Sequence, residues 1–269
     1  MSAAESTIPT TRRRPAMLRA LGNSEPPTTI IVDGVEFFHR ETFKHDAWAA
    51  TSLYENSGRK IVCKINRCQS LAGFPLRWLG RWVANREWSM LNGLAGVPGI
   101  PRCYRVQSAS GSRMPTAAAH DYIEGQPLSR TPAVPEDFFE NLEVLLQELH
   151  RRQIAYIDLH KPENILVSTD GRPHLVDFQI SVRLPRWWGL GWAFRFLAES
   201  DRYHLSKHRR RYHVEAWHLV PLDYPWWIRL HRRLTNPLRN VRRRVLVALR
   251  IRKGGGQAET EVAPEVGLR

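Results

Sequence analysis

Residues Tyr156–Phe178 read YIDLHKPENILVSTDGRPHLVDF, and this stretch decides the fold. It holds two short apolar runs that flank Ser168–Gly171, a composition typical of the turn in a β-hairpin. Asp158 and Asn164 come before the first run, and Asp177 follows the second. A hairpin would therefore bring these three polar side chains to the same end.

The three side chains are the types that phosphoryl transfer requires. A carboxylate must orient the acceptor hydroxyl, while an acid and an amide hold Mg²⁺ against the phosphates. The alternative is a surface hairpin whose acidic residues are merely solvated. The coincidence of three suitable polar residues with the hairpin favours the phosphoryl-transfer interpretation.

The same residues resemble the protein-kinase-like superfamily. Residues 161–166, KPENIL, match the end of a kinase catalytic loop, and Asp158 falls at the position of its catalytic aspartate. Asp177 begins a D-F-Q sequence that resembles the kinase D-F-G motif. The resemblance implies ATP as phosphate donor, Asp158 as catalytic base, and Asn164 and Asp177 as ligands of Mg²⁺.

Some residues depart from the family pattern. Asp158 and Asn164 lie one position further apart than in the family, with His160 as the extra residue. Either His160 or Lys161 would then face the γ-phosphate, and we assign the catalytic role to Lys161. Gln179 stands where the family has glycine, and a tyrosine replaces the usual histidine two residues before the catalytic aspartate.

A lysine and a glutamate further upstream complete the resemblance. Lys60–Ile65 alternates as a strand and resembles the kinase strand whose lysine, here Lys64, binds the α- and β-phosphates. Around Trp82–Leu94 the apolar residues follow helical spacing, and Glu87 lies on that stripe. A carboxylate on an apolar face needs a cation, so we expect Glu87 to pair with Lys64. The alternatives to this pair are that Lys64 is simply exposed to solvent and that Glu87 lies at the solvent-exposed edge of the apolar stripe.

Two segments nearer the N-terminus fit a β-rich lobe. The Asp33-Gly34 turn, with apolar residues on both sides, predicts a pair of strands. Phe43–Tyr54 would be the hairpin that covers the phosphates, although it contains no glycine. Backbone that lies over phosphates usually needs glycine for close approach, so a chance hairpin is nearly as good an interpretation.

The middle of the chain predicts a connection between lobes and a long helix. Ala117–Leu128 is an apolar strand that we expect to break at Gly125. It resembles the segment joining kinase lobes, so the backbone groups of Asp121 and Ile123 would bind adenine. Apolar residues at helical spacing predict a helix over Pro135–Arg152, with acidic residues at its start and arginines at its end.

Together these segments predict an α+β, two-lobed, protein-kinase-like fold. Residues 30–124 would form a β-rich N-lobe and hinge, and 125–253 a shortened, mostly helical C-lobe with a basic, Trp-rich end. We expect 1–29 to be a disordered tail and 254–269 a flexible one.

The net charge of +14 is concentrated on the C-terminal side of Tyr156–Phe178, the motif hairpin. Residues 182–253 hold 18 basic and 4 acidic residues, which accounts for the whole excess. Aromatic residues and arginine clusters alternate there, namely Trp187, Trp188, Trp192, Phe194, Phe196, Arg209–Arg211, Trp226, Trp227 and Arg242–Arg244. Basic helices with interfacial tryptophan suit an anionic membrane surface. A solvated basic lobe and, less favoured, a nucleic-acid face are the alternatives.

Cysteine usage and hydropathy predict where the protein works. Cys63, Cys68 and Cys103 form neither a disulfide framework nor a zinc spacing, which favours a reducing compartment. No run approaches the ~18 apolar residues needed to span a bilayer, and Arg12–Arg14 is not followed by the apolar stretch of a signal peptide. We expect a cytoplasmic protein, peripheral on the inner face of the membrane.

The finer resemblance concerns the phosphate acceptor. The GVPGIP turn at 96–101, the abbreviated C-lobe and the basic aromatic end are similar to bacterial lipopolysaccharide-core kinases, the Kdo and heptose kinase group. This implies transfer to a hydroxyl of a membrane glycolipid. A serine/threonine protein kinase, possibly RNA-associated, and a catalytically weak membrane pseudokinase are the alternatives.

Overall fold

The computed structural model describes residues 15–70, 74–184 and 189–212. Spatial contacts divide the chain into two compact units. Among the described residues, the first unit holds those up to Asn85 together with Tyr104–His120. The second holds Arg86–Cys103 and those from Asp121 onward. The predicted lobe boundaries stay a prediction.

Several predicted features lie outside the described residues. These are the far N-terminus, the end of the basic region and the C-terminal tail, namely 1–14, Trp187, Trp188, Trp226, Trp227, Arg242–Arg244 and 254–269. In the part of the chain that the structure does describe, no helix combines the length and the apolar character that crossing a bilayer demands.

Six strands close the sheet of the first unit. In chain order they are β1 Thr29–Val32, β2 Val35–His45, β3 Ala49–Asn56, β4 Arg59–Asn66, β5 Cys103–Ser108 and β6 Arg113–Asp121. Their order in the sheet is β1-β2-β3-β4-β6-β5, and β5 also pairs with β1. Buried apolar residues that include Ile30, Phe37 and Tyr54 pack inside this sheet.

The Asp33-Gly34 turn joins β1 to β2, as predicted. Val32 pairs with Val35, and the two turn residues have φ angles of 51° and 79°. Both angles lie in the left-handed region that the tight turns of β-hairpins require, and Asp and Gly are residues that adopt it readily. The local sequence therefore determines this connection.

The glycine-free segment also forms a hairpin, between β2 and β3. Asp46 Oδ1 accepts hydrogen bonds from the backbone N–H groups of Trp48 and Ala49, at 2.7 and 2.9 Å. Burial opposes ionisation of Asp46, but its hydrogen bond with Lys44 and those two amides outweigh burial and lower the pKa of this carboxyl. An aspartate therefore closes this glycine-free turn. Whether this hairpin covers phosphates stays a prediction.

Residues 15–28 pack onto the sheet, although we expected them in a disordered tail. Arg19 is buried, and its guanidinium bonds both oxygens of Glu25 at 2.8 Å and the ring of His45 at 2.8 Å. The hydroxyl of Tyr54 donates to Pro27 O at 2.8 Å. These long-range partners offset the entropy of ordering a polar segment, and composition alone does not reveal them.

The second unit contains most of the helical residues. Its long helices are α2 Phe138–Arg151 and α3 Gly191–Tyr212, and α1, Arg77–Asn92, contributes its last residues. Its short strands are β7 Gly125–Pro127, β8 Ile154–Ala155, β9 Ile165–Ser168, β10 Pro173–Leu175 and β11 Val182–Arg183. They form one sheet of order β10-β9-β7 and one pair, β11-β8.

The α2 helix confirms the predicted apolar stripe. Its buried residues recur at helical spacing, namely Phe138, Phe139, Leu142, Leu145, Leu146, Leu149 and His150. The helix begins three residues later than predicted, because the N–H of Phe138 bonds Pro135 O at 3.1 Å in a preceding turn. Arg151 and Arg152 bind Glu148 at the C-terminal end, where the helix dipole favours cations.

The predicted strand over Ala117–Leu128 ends earlier than expected. β6 stops at Asp121, and Gly125 instead begins β7, which pairs with β9. A Cβ atom at Gly125 would lie 2.2 Å from Val167 O. Gly125 is thus a point of close backbone approach between two strands, which its isolated position in the sequence does not distinguish from a strand break.

Candidate active site

The motif hairpin forms as predicted, with β9 and β10 as its arms. Leu166 pairs with His174 across it. Before β9 the chain makes two 3-10 turns, Asp158–His160 and Pro162–Asn164. The Nδ2 of Asn164 donates to Asp158 Oδ2 at 2.8 Å. The extra residue in the loop therefore does not separate the predicted base from the predicted metal amide.

Asp158 has two carboxylate oxygens in different environments. The side chain is only 2% exposed. Its Oδ2 accepts the bond from Asn164 and one from Lys161 Nζ, also at 2.8 Å. Its Oδ1 is buried without a hydrogen-bond partner among the described residues, although His160 Nδ1 lies 3.4 Å away. A fixed carboxylate with one unsatisfied oxygen is suited to accept the proton of a hydroxyl.

Lys161 and His160 both flank this carboxylate, and both are about half exposed. Lys161 is fixed by its bond to Asp158 Oδ2, whereas the His160 ring stacks in a tilted arrangement 5.8 Å from that of His204. The assignment of Lys161 to the γ-phosphate stays a prediction. This contact explains how the loop accommodates His160 as an extra residue, because the His160 ring packs toward α3.

Asn164 and Asp177 are connected through the backbone. The N–H of Val176 donates to Asn164 O at 3.1 Å, and this places Asp177 one residue from the bond. Asn164 is buried, and since its Nδ2 donates to Asp158, its Oδ1 is the acceptor atom of the amide. Asp177 has a φ of 61°, in the left-handed region that few non-glycine residues adopt, although aspartate does so more often than most. Such strain is typical of functional sites.

Tyr156 lies near several acidic residues of the second unit. Its side chain is buried, its hydroxyl donates to Val176 O, and its ring packs edge-to-face on Phe178 at 5.0 Å. Burial raises the pKa of this hydroxyl well above its usual value. Four nearby carboxylates add to the effect, namely Asp177, Asp158, Asp201 and Glu87. The Tyr156 side chain therefore stays neutral.

The donor set fits Mg²⁺ better than a transition metal. Among the described residues, no three His, Cys, Asp or Glu side chains are grouped as a metal site. Mg²⁺ is usually bound by only one or two carboxylates, with the rest of its ligands from phosphates and water. The amide oxygen of Asn164 and the carboxylate of Asp177 are ligands of that hard type.

Asp201 of α3 is a buried residue that the sequence did not single out. Its oxygens accept the backbone N–H groups of Tyr156 and Ile157, each at 2.8 Å, and Oδ2 lies 3.0 Å from His150 Nε2. Ile157 has a φ of 69°, a strained value for a β-branched residue. Asp201 thus holds the strained residue that immediately precedes Asp158.

A signal for Asp201 was present in the sequence. The buried residues of α3 are Phe194, Ala198, Asp201, Leu205 and His208, at helical spacing. A carboxylate on such a stripe requires partners. The same reasoning identified Glu87, but the arginine clusters nearby suggested a solvated or membrane-facing helix instead.

Glu87 is buried, as its place on the α1 stripe predicted, with 3% of its surface exposed. Its Oε2 accepts a hydrogen bond from Gln179 Nε2 at 3.1 Å. Lys64 lies on β4 opposite Thr51, as its strand pattern predicted, and belongs to the first unit. Glu87 belongs to the second, so the pairing of Lys64 with Glu87 stays a prediction.

The two predicted adenine-binding positions lie at and after the end of β6. The N–H of Asp121 donates to Arg102 O at 3.0 Å. Ile123 is half-buried in the segment between β6 and β7. Their binding roles stay predictions.

Comparisons with known proteins relate part of this chain to protein kinases. No protein-family model matches it. It is 33% identical over 140 residues to serine/threonine-protein kinase WAG1 of Arabidopsis thaliana, covering 46% of this chain and 29% of the relative. For WAG2 of the same plant the identity is 30% over 140 residues, covering 46% of this chain and 28% of the relative. The chain spans less than a third of the length of these curated relatives.

A solved structure with some similarity is the Rio2 kinase of Chaetomium thermophilum, in a complex with ADP/Mg²⁺ and phosphoaspartate. The TM-score is 0.46 and the identity 17%, over 66% of this chain and 55% of that one. These values are too low to establish a shared fold. The kinase-like character therefore rests on the residues and on the two plant relatives. Neither of these relatives is a lipopolysaccharide kinase, so that finer resemblance stays a prediction.

Proposed function

We propose that this protein is an ATP-dependent kinase that transfers the γ-phosphate to a hydroxyl group. The single observation that carries the proposal is the environment of Asp158. This buried carboxylate is held through one oxygen by Lys161 and Asn164, while its other oxygen has no hydrogen-bond partner among the described residues. That arrangement fits a base that orients an acceptor hydroxyl for in-line attack.

The remaining residues divide the work of binding the nucleotide. Asn164 and Asp177 would hold Mg²⁺, which when bound neutralises charge on the phosphates. Lys161 would contact the γ-phosphate. Lys64, oriented by Glu87, would bind the α- and β-phosphates. The backbone of Asp121 and Ile123 would bind adenine.

We favour serine or threonine side chains of proteins as the acceptor. The sequence match supports this choice, because both plant relatives are serine/threonine kinases. The match covers 46% of this chain in both cases.

An acceptor assay tests the proposal. Purified protein with Mg-ATP should phosphorylate serine or threonine in generic protein substrates or in itself, measured by phosphopeptide mass spectrometry. Parallel reactions with a lipopolysaccharide fraction test the glycolipid acceptor. Stabilisation by Mg-ATP with no product in any fraction would contradict the proposal and identify a non-catalytic nucleotide-binding protein.

A membrane glycolipid is the second candidate acceptor, and a surface of the first unit favours it. Trp78 and Trp82 lie one turn apart on α1, 64% and 55% exposed, and Phe74 just before the helix is 71% exposed. Arg77 and Arg81 are exposed between them, and residues 74–85 contain no acidic side chain. Exposed aromatic rings beside arginines suit the interface of an anionic bilayer. The protein would then work as a peripheral protein on the cytoplasmic face of the membrane.

Vesicle flotation tests this second candidate. Wild-type protein should float with phosphatidylglycerol vesicles but not with neutral ones, and part of the binding should survive high salt, because salt screens charges but not inserted rings. The double variant Trp78→Ser, Trp82→Ser should bind at least about tenfold more weakly, since each buried ring contributes about 1.5–3 kcal/mol.

The matched control is Val144→Ser, which removes an isolated exposed apolar residue from α2. It should leave flotation unchanged. Equal flotation of the wild type and the tryptophan variant would contradict a role for α1. Retention on RNA instead of vesicles at the same salt would favour the RNA-associated protein kinase.

A further inference from the structure

Gln179 occupies a position where its side chain reaches the buried glutamate of α1. It is the second residue after Asp177, the proposed metal ligand. Its Nε2 donates to Glu87 Oε2 at 3.1 Å. Because Glu87 is 3% exposed, this bond lies in a region where a charged acceptor gains more from a hydrogen bond than it would in water.

Arg86, the neighbour of Glu87 on α1, binds the backbone of the same turn. Its Nε donates to Gln179 O at 3.0 Å and its Nη2 to Ser181 O at 2.6 Å. The guanidinium is planar and rigid, so two bonds from it fix the spacing of the two carbonyl groups. Consecutive α1 residues therefore hold the side chain and the backbone of Gln179 together.

The turn between Asp177 and Ser181 is also fixed from its other side. Ser181 is buried, its N–H donates to Phe178 O at 3.3 Å, and its hydroxyl donates to Tyr156 O at 3.1 Å. Phe178 is buried against the ring of Tyr156. The left-handed φ of Asp177 therefore occurs next to a turn in which the carbonyl groups of Phe178, Gln179 and Ser181 and the ring of Phe178 have partners.

Glycine at position 179 could form none of the side-chain contacts of this turn, and it would give the backbone more freedom. We propose that Gln179 and Arg86 are positioning residues that fix Glu87 and Asp177 relative to each other, so that the carboxylate that would orient Lys64 and the metal-binding carboxylate are placed together. This inference rests on the proposed kinase function. It assigns a role to the residue that departs from the D-F-G pattern.

Substitutions of Gln179 test the inference by their rank order. In Gln179→Ala the hydrogen bond to Glu87 is lost. We expect a kcat about tenfold lower, as for the loss of a bond to a charged group. The Mg²⁺ concentration for half-maximal rate should rise, and KM for the protein acceptor should change little. Gln179→Glu should lower kcat further than Gln179→Ala, because it places a second carboxylate next to that of Glu87.

A purely structural role predicts the opposite order. Glutamate has nearly the shape of glutamine, so packing alone would make Gln179→Glu milder than Gln179→Ala. The control Gln147→Glu makes the same chemical change at an exposed position of α2 and should match the wild type. Thermal unfolding of every variant separates loss of fold from loss of positioning. If Gln179→Ala keeps the kcat and Mg²⁺ dependence of the wild type, or is the more damaging of the two, the inference is wrong.

Amide hydrogen exchange provides a measurement that does not depend on activity. Both Gln179 variants should exchange faster in a peptide covering 177–182, while a peptide covering the β9–β10 hairpin at 165–175 should be unchanged. Failure of the wild type to transfer phosphate would end the proposed function but leave this result interpretable. Unchanged exchange at 177–182 in both variants would overturn the positioning role itself.

Discussion

Asp158→Ala is expected to lower phosphoryl transfer by about 10²–10⁴-fold, the range that a positioned general base contributes. The variant keeps the rest of the loop. It removes the oxygen that accepts the hydrogen bonds of Lys161 and Asn164, and it removes the second oxygen, which would face the acceptor hydroxyl. Binding of Mg-ATP should persist, because the nucleotide is held mainly by other groups. The loss should therefore appear in kcat rather than in the nucleotide dissociation constant.

Steady-state kinetics with Mg-ATP and isothermal titration with the same nucleotide measure the two quantities separately. The matched control is Asp170→Ala, which removes an exposed carboxylate from the turn of the same hairpin. It should retain wild-type kcat. Wild-type turnover in Asp158→Ala would remove Asp158 from the mechanism and with it the observation on which the proposed function rests.

Asp201→Ala is expected to destabilise the protein by about 3–5 kcal/mol, the cost of removing one partner from a buried charged cluster. Asp201 is fully buried, and its loss leaves the N–H groups of Tyr156 and Ile157 without their acceptor. His150 also loses its carboxylate partner. Ile157 would then relax from its strained conformation, and Asp158 would move with it.

Denaturant unfolding followed by circular dichroism measures this effect. Glu199→Ala, which truncates an exposed carboxylate two residues away on α3, is the control and should change the free energy of unfolding by less than about 0.5 kcal/mol. Asp201→Asn should be less stable than the wild type, since the NH₂ group of its amide would face one of the backbone N–H groups that Asp201 now accepts. An unfolding midpoint equal to that of the wild type would show that Asp201 does not hold the loop.

Local elements of the fold were predictable because their signals are local. The D-G turn between β1 and β2, the alternation of β4 and the spacing of apolar residues in α2 each involve side chains within a few residues of one another. The β9–β10 hairpin belongs to the same group, and it carried the prediction that Asp158 and Asn164 share one end. The hydrogen bond between them agrees with that geometry.

Features that depend on distant partners were missed or misplaced. Residues 15–28 were expected to be disordered, but Arg19 finds Glu25 nearby and His45 on β2. The end of β6 was placed four residues late, because only the close approach of Gly125 to Val167 O shows where the next strand begins. Composition and periodicity contain no information about such contacts.

The sequence by itself determined the β1–β2 turn, β4, α2, the β9–β10 hairpin and the order of the residues proposed for phosphate transfer, since propensity and periodicity act between near neighbours. The tertiary structure alone decided that Asp201 supports the loop before Asp158 and that Gln179 bonds Glu87. These contacts join residues more than forty positions apart. Their energy comes from burial and from partners that meet only when the chain has folded.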